Sequence, residues 1–409
     1  MTIGVGGATE EKALQALSSM VRDVMPIQPT EYRLRIAKAQ QRMRELGIAA
    51  IYANAGSNMT YFSGTRWHPS ERMCGIIIPA SGEFEYIAPA FEEGTVRDYM
   101  VIEGRINCWQ EHESPYQLFI DTLQRMGIRP NEATTPRIGI CESAAFFIYD
   151  GIRKLADGYD LINAQEVSGF CRVTKSATEI AIMQRAHHMT LAVHQAAASI
   201  LHEGISTTEV EAFIDRAHRK VGATGSYFCI VLFGEATAFP HGVKHAQILK
   251  PNDVVLIDTG CLVHGYMSDI TRTYVYGTPT ERQRQVWNME KAAQAAAFAA
   301  AQLGIACEEV DRAARRIVEA EGFGPGYKLP GIPHRTGHGI GLDIHEAPYI
   351  VARNQTPLAP GMCFSNEPMI CVPGEFGIRH EDHVYMTEHG PQWFTEPAYS
   401  IDDPFGLKR

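Results

Sequence analysis

The chain has 409 residues, 45% of them apolar and 21% charged, with a net charge of −10 at neutral pH. That length allows two domains with sizeable cores, and the acidic balance argues against nucleic acid or an anionic membrane as the main partner. No apolar run approaches the roughly 18–20 residues of a membrane span. The first stretch shows no basic-then-apolar secretory signal. Nine cysteines, odd in number and without a Cys-x-x-Cys pair, read as small buried hydrophobes in a reducing, cytoplasmic setting.

In chain order, the pattern predicts a helix over roughly 10–24, then a Pro-bearing lead-in ending near Pro29. A second helix is expected over about 31–46, with Leu34, Ala37, Met43 and Leu46 on one face. Short buried strands are expected at Ala49 to Ala53, Cys74 to Pro79, Phe84 to Pro89 and Arg137 to Cys141. Helices near 117–127 and 144–156 alternate with them, which predicts an α/β domain with both sheet faces covered. The composition shifts near Arg172-Val173-Thr174-Lys175-Ser176. This places the division at 1–172 and 173–409. Beyond it, long helices are predicted over roughly 176–203 and 206–221, the second capped by Ser206 or Thr207. Strands near 226–233, 253–261 and 267–276 follow. Helices over about 280–303 and 307–321 come next, the Ala-rich part reading as close packing, and the rest is loops and strands.

Two acidic hairpins stand out. Val254 to Tyr274 carries apolar and β-branched runs on either side of His264-Gly265, a turn signal. Asp258 and Asp269 lie almost symmetrically about it. Directly opposed residues of antiparallel strands have Cβ atoms roughly 4.5–5.5 Å apart, so two carboxylates there require a proton or a cation between them. Met362 to Met386 repeats the arrangement, with Glu367 and Glu381 symmetric about Gly374. Between the hairpins runs Pro333 to Glu346, rich in Gly and His. Four carboxylates plus imidazole make a hard site suited to Mn²⁺, or to Co²⁺, Fe²⁺ or Zn²⁺. So many acids call for two ions, and metals roughly 3.5–4 Å apart are a known hydrolytic arrangement.

The order Asp258, Asp269, His338, Glu367, Glu381 resembles the ligand signature of the methionine aminopeptidase/creatinase ("pita-bread") superfamily, and within it the Xaa-Pro peptidases, prolidase and aminopeptidase P. Asn58-Met59-Thr60-Tyr61-Phe62-Ser63-Gly64 resembles that branch's N-terminal domain, so the resemblance covers nearly the whole chain. It implies a creatinase-like α/β domain followed by a pita-bread catalytic domain, an α+β arrangement overall. It also implies a homodimer acting on small peptides. Asp269 and Glu381 would bridge two divalent ions, Asp258 would bind one, and His338 and Glu367 the other. Bridging hydroxide would attack the carbonyl before proline, with Glu367 as proton shuttle.

His241 resembles the family's substrate-side histidine, His345 the one that hydrogen-bonds the scissile carbonyl, and His334 the one lining the proline pocket. Arg379 lies two residues before Glu381, on the same strand face, and completes the pattern Gly377-x-Arg379-x-Glu381. Arg353, fourteen residues before Glu367, matches the prolidase arginine that clamps the substrate carboxylate; a solvated loop charge is its plain alternative. Trp67, His68 and Arg72 fall where the family can reach a neighbouring subunit's site, or else pack on their own domain. His245, His264, His380 and His383 read as structural or surface groups. Cys371 stands where some aminopeptidase P members have tyrosine. The rival readings are a dimethylsulfoniopropionate lyase of the same fold, disfavoured by Gly260 where an extra Asp is expected, a hydrolase of a small non-peptide amide, and the fold's non-catalytic binding proteins and metal-free creatinases, which typically lose some of the five ligands that are all present here.

Overall fold

The computed structural model describes residues 2–408, and the chain divides into two units. One runs from Ile27 to Arg172; the other takes the chain up to Pro26 and again from Val173 onward. The opening segment, expected with the first domain, therefore folds on the second. Main-chain hydrogen bonds hold it there: Ile3 N to Asp402 O, Gly6 N to Ala198 O and Met20 N to Val221 O, each 2.8 Å. Its helix is only Glu10–Gln15, not the longer one expected.

In the first unit, β1 (Ile48–Asn54), β2 (Gly75–Pro79), β3 (Glu85–Pro89), β4 (Arg105–Trp109), β5 (Arg137–Ile140) and β6 (Asp160–Asn163) form one sheet in the order β4-β3-β2-β1-β5-β6. The two strands without a sequence signal, β4 and β6, are the edges. Edge strands meet water along one side and carry polar residues such as Arg105, Asp160 and Asn163, which breaks the apolar run. The helix Pro29–Leu46 also differs in its buried face. Leu34 is 70% exposed, while Tyr32, Arg35, Ile36, Ala39 and Met43 point inward. The cause is Arg35, whose guanidinium donates to Tyr61 O at 3.1 Å and lies over the Tyr61 ring. Apolar periodicity cannot register a cation on the inner face.

The second unit repeats one order twice: two helices, then strands carrying an acid pair. Helices Ala177–Ser199 and Thr207–Val221 each open with a capping box, Ser176 with Glu179 and Ser206 with Glu209. They precede β7 (Phe228–Phe233), β8 (Val254–Gly260), β9 (Leu262–Val263), β10 (Tyr266–Met267) and β11 (Ile270–Val275). Helices Glu281–Ala300 and Cys307–Ala320 precede β12 (Gly337–Gly339), β13 (Glu346–Ile350), β14 (Cys363–Asn366), β15 (Met369–Val372), β16 (Phe376–Arg379), β17 (Asp382–Thr387) and β18 (Gly390–Trp393). Ala293, Ala297 and Ala314 are wholly buried in the core of this half. The main sheets are β11-β8-β7 and β13-β12-β14-β17-β18. A bridge between Thr271 and Glu381 joins the two acidic hairpins. All nine cysteines are free.

Candidate metal centre and active site

The turn of the first hairpin sets its register. His264 and Gly265 have φ of 48° and 88°, the left-handed pair that a two-residue hairpin turn of right-handed twist requires. Tyr266 therefore faces Val263, and the same register carries down to Thr271 opposite Asp258. Asp269 is thus two residues from the position directly across, not facing Asp258 as expected. The two acids are diagonal neighbours near a gap in the ladder, and their side chains still meet.

The second hairpin keeps the expected register. Met369 faces Arg379 in β15 and β16, and Asn366 faces Asp382 in β14 and β17, both centred on Gly374. Glu367 and Glu381 fall in the gap between these ladders, opposite one another. Glu381 exchanges main-chain hydrogen bonds with Thr271, and its Oε2 accepts from Thr271 Oγ1 at 2.7 Å. So one residue of the first hairpin fixes a carboxylate of the second.

His338 on β12 completes the cluster. Its Nδ1 faces Gly339 O at 3.1 Å, which turns Nε2 toward the acids. Nε2 lies 3.1 Å from Glu367 Oε1, 3.8 Å from Asp269 Oδ2 and 3.9 Å from Glu381 Oε1. Ser365 Oγ holds both partners: it accepts from His338 N at 2.8 Å and donates to Glu367 Oε1 at 3.0 Å.

The charges are unbalanced. Burial raises the carboxyl pKa of Asp269 and Glu381 well above the usual range, and the neighbouring carboxylates push the same way. Asp258 is also raised by burial, against the opposing pull of the Arg379 guanidinium. Glu367 differs: burial pushes it up, but the His338 hydrogen bond and the charges of His338, His334 and Arg379 carry it below the carboxylate range. Asp258 Oδ1, Asp269 Oδ1 and Glu381 Oε1 are buried without a hydrogen-bond partner among the described residues. Buried carboxylate oxygens left in this state are costly unless a proton or a cation meets them.

Two groupings fit a divalent ion, His338 with Glu367 and Glu381, and Asp269 with Glu381 and His383; within each, the candidate ligand atoms lie within 4.8 Å of one another. Glu381 is common to both. Asp258 stands beside them, with Oδ2 on the Arg379 guanidinium.

A cavity of about 460 Å³ opens on this cluster, lined by Glu367, His338, His241, His334, His345, Arg335 and Arg379 with Pro240 and Pro333. The three non-ligand histidines singled out in the sequence thus share one wall system. His345 packs against His338 with ring centroids 4.1 Å apart. Desolvation and the neighbouring charges of His338 and Arg335 lower its pKa, a push weakened because the residue is exposed to solvent. His334 Nε2 is buried without a partner among the described residues. Arg379 is committed to the acids: Nε donates to Thr271 Oγ1 at 3.0 Å, Nη1 to Pro240 O at 3.1 Å and Nη2 to Asp258.

Arg353 is not brought to this cavity. It is exposed, has φ of 69°, and donates its main-chain N–H to Glu308. A left-handed turn residue directs its side chain by local geometry, which counting residues back from Glu367 cannot capture. Besides Arg379, the cavity wall carries Arg335, stacked 4.5 Å over the Tyr349 ring and without an ion-pair partner among the described residues. Sequence reasoning passed over it. It lies between His334 and His338, where attention to the histidines hid the one charge. His383, read as structural, lies in the metal cluster; two-residue alternation from Glu381 is the signal that points to it. Lys175, used only as a boundary marker, is buried and pairs with Glu346 at 2.5 Å, beside His345. In the first unit, Trp67 packs edge-on against Tyr99 and His68 is exposed.

Residues 181–388 match metallopeptidase family M24, and residues 35–174 match the creatinase/prolidase N-terminal domain. The chain is 32% identical over 363 residues to a putative dipeptidase, YkvY, of Bacillus subtilis, covering 88% of this chain and 97% of that relative. Among solved structures, dipeptidase PepE from Mycobacterium ulcerans superposes with a TM-score of 0.83 at 30% identity, covering 92% of this chain and 99% of that one. A prolidase from Thermococcus sibiricus gives 0.81 at 30% identity, covering 89% and 97%.

Proposed function

The chain belongs to metallopeptidase family M24, and from that premise we propose that this hydrolase cleaves the bond before proline in Xaa-Pro dipeptides, using two divalent ions, Mn²⁺ first among them. The supporting observation is the cavity that brings Glu367 and His338 of the acid cluster together with His241, His334, His345 and Arg335. Pro240, Pro333 and His334 offer a small wall suited to a proline ring. Arg335 offers a planar guanidinium for the carboxylate that follows proline in a dipeptide. A tripeptide would place a neutral amide there instead. A homodimer and a small-peptide substrate belong to the same reading.

Ions held by Asp258, Asp269, His338, Glu367 and Glu381 would lower the pKa of water and polarise the scissile carbonyl. The chain's own groups then do the rest. Glu367, held ionised by His338 and Ser365, takes the water's proton and delivers it to the leaving nitrogen, which departs only when protonated. His345, favoured as neutral imidazole, donates a hydrogen bond to the carbonyl oxygen as negative charge develops. His241, which lines the same cavity, positions the substrate. Arg379 holds Asp258 and Glu381's partner Thr271 in place.

The lyase reading meets a steric obstacle. A Cβ on Gly260 would overlap the Ser268 carbonyl oxygen, so the extra aspartate expected of that enzyme has no room.

The test uses metal-stripped protein given back Mn²⁺, Co²⁺ or Zn²⁺, with Gly-Pro, Ala-Pro and a Pro-containing tripeptide. Metal-dependent cleavage of the dipeptides alone is expected. Arg335→Ala should raise their KM about 10-fold or more, the loss of a charge-assisted hydrogen bond, while Arg353→Ala leaves it unchanged. Metal-loaded protein that cuts neither peptide would sink the proposal.

A further inference from the structure

His383 is wholly buried on β17, paired with Ser365 of β14. Alternation along β17 puts it on the face of Glu381, and alternation along β14 puts Ser365 on the face of Glu367. Its ring therefore stands beside the acids, with the His338 ring centroid 5.9 Å away. Nδ1 lies 2.8 Å from Asp269 O. A carbonyl only accepts, so Nδ1 carries the proton and Nε2 keeps a lone pair. That Nε2 is buried without a hydrogen-bond partner among the described residues.

No neighbour among the described residues donates a hydrogen bond to it. His187, packed against the ring at 4.9 Å, has Nδ1 on Met183 O at 2.8 Å, so its own Nε2 is likewise an acceptor. His338 likewise has its Nδ1 on Gly339 O, and among the acids beside the ring Asp269 Oδ1 and Glu381 Oε1 are also unpartnered among the described residues. A ring nitrogen of His383 lies within 4.8 Å of a carboxylate oxygen of each. Unpartnered acceptors on three neighbouring residues in one dry interior share an electrostatic need that a cation meets.

We infer that His383 is a sixth, nitrogen ligand of the metal centre, binding the ion shared by Asp269 and Glu381. This rests on the metal-binding reading above and adds a group outside the five-residue set. The hydrogen bond to Asp269 O acts as the outer contact that fixes tautomer and ring orientation.

Co²⁺-loaded protein provides the test. In proton NMR each metal-bound imidazole gives one hyperfine-shifted, exchangeable N–H signal, and both His338 and His383 have a buried Nδ1–H to report. Two such signals are expected in the native protein and one in His383→Asn. That variant retains a donor at the Nδ1 position for Asp269 O while removing Nε2. Calorimetric titration with Co²⁺ should show affinity for one ion falling at least about 100-fold, beyond the 10–100-fold typical of an outer-shell partner. A single signal in the native protein overturns the inference even if His383→Asn fails to fold, and so does a variant with unchanged affinity and two signals. Protein that binds two ions with one imidazole signal defeats this inference alone. Protein that takes up no divalent ion defeats the metal reading with it.

Discussion

At the residue scale, the cluster depends on how each carboxylate is held. Ser365 is the hinge of that arrangement, bonded to His338 N and Glu367 Oε1 at once. Its loss leaves a buried N–H unmet and frees the carboxylate. Ser365→Ala should cost about 1–3 kcal/mol of stability. It should also lower kcat about 10-fold with KM little changed, because the proton carrier loses its aim. Steady-state kinetics with a denaturant titration checks both; an unchanged kcat would remove Ser365 from the proton path. The sequence showed Glu367 and Glu381 because symmetric acids in apolar strands are unusual. It did not show Ser365, whose value comes from a strand crossing that pattern alone does not display.

At the element scale, the spacing between β12 and β14 sets the site. A Cβ on Gly337 would overlap the Ser365 carbonyl, so β12 would have to retreat and take His338 with it. Gly337→Ala should therefore cost about 1–3 kcal/mol, as overpacking does, and weaken uptake of the ion at His338. Gly374→Ala is the contrast. With φ of 77° and open space around it, it strains only the turn, about 1–2 kcal/mol, and leaves metal binding intact. Calorimetry of the two variants with Mn²⁺ separates the cases; equal metal affinity in both would show that strand spacing does not govern the site.

At the scale of the whole catalytic unit, buried histidines make stability depend on pH. Burial pushes His194 down to about 3 and His218 down to about 4. Both are neutral in the folded state at pH 5, whereas in the unfolded chain they take up protons below about 6.5. Proton uptake thus favours unfolding, so their contribution is complete above pH 6.5 and is lost as pH falls toward 4. Each should remove about 2 kcal/mol between pH 7 and pH 5, at about 1.4 kcal/mol per unit. Denaturant midpoints with the metal site saturated, for the native protein and His218→Gln, measure this. A native profile flat from pH 7 to pH 5 would contradict it.

Apart from the five-residue ligand set, which the family resemblance implies, the sequence by itself determined the two-domain order, most helices, the inner strands and the acid pairs of the two hairpins. These follow from local rules: apolar period, capping residues, turn chemistry and the symmetry of acids about a turn. It read the second hairpin's register correctly because Gly374 sits at its centre. It placed the first turn correctly at His264-Gly265 but took the aspartates as facing across it, although their midpoint lies one residue before the turn's centre, which shifts the pairing by two. Only the tertiary structure decided that the opening segment folds on the catalytic unit, that Arg335 rather than Arg353 faces the cavity, and that His383 joins the acids. Each of these depends on which distant strand or loop lies alongside. Burial and electrostatic need are properties of that assembled neighbourhood, not of any one stretch of chain.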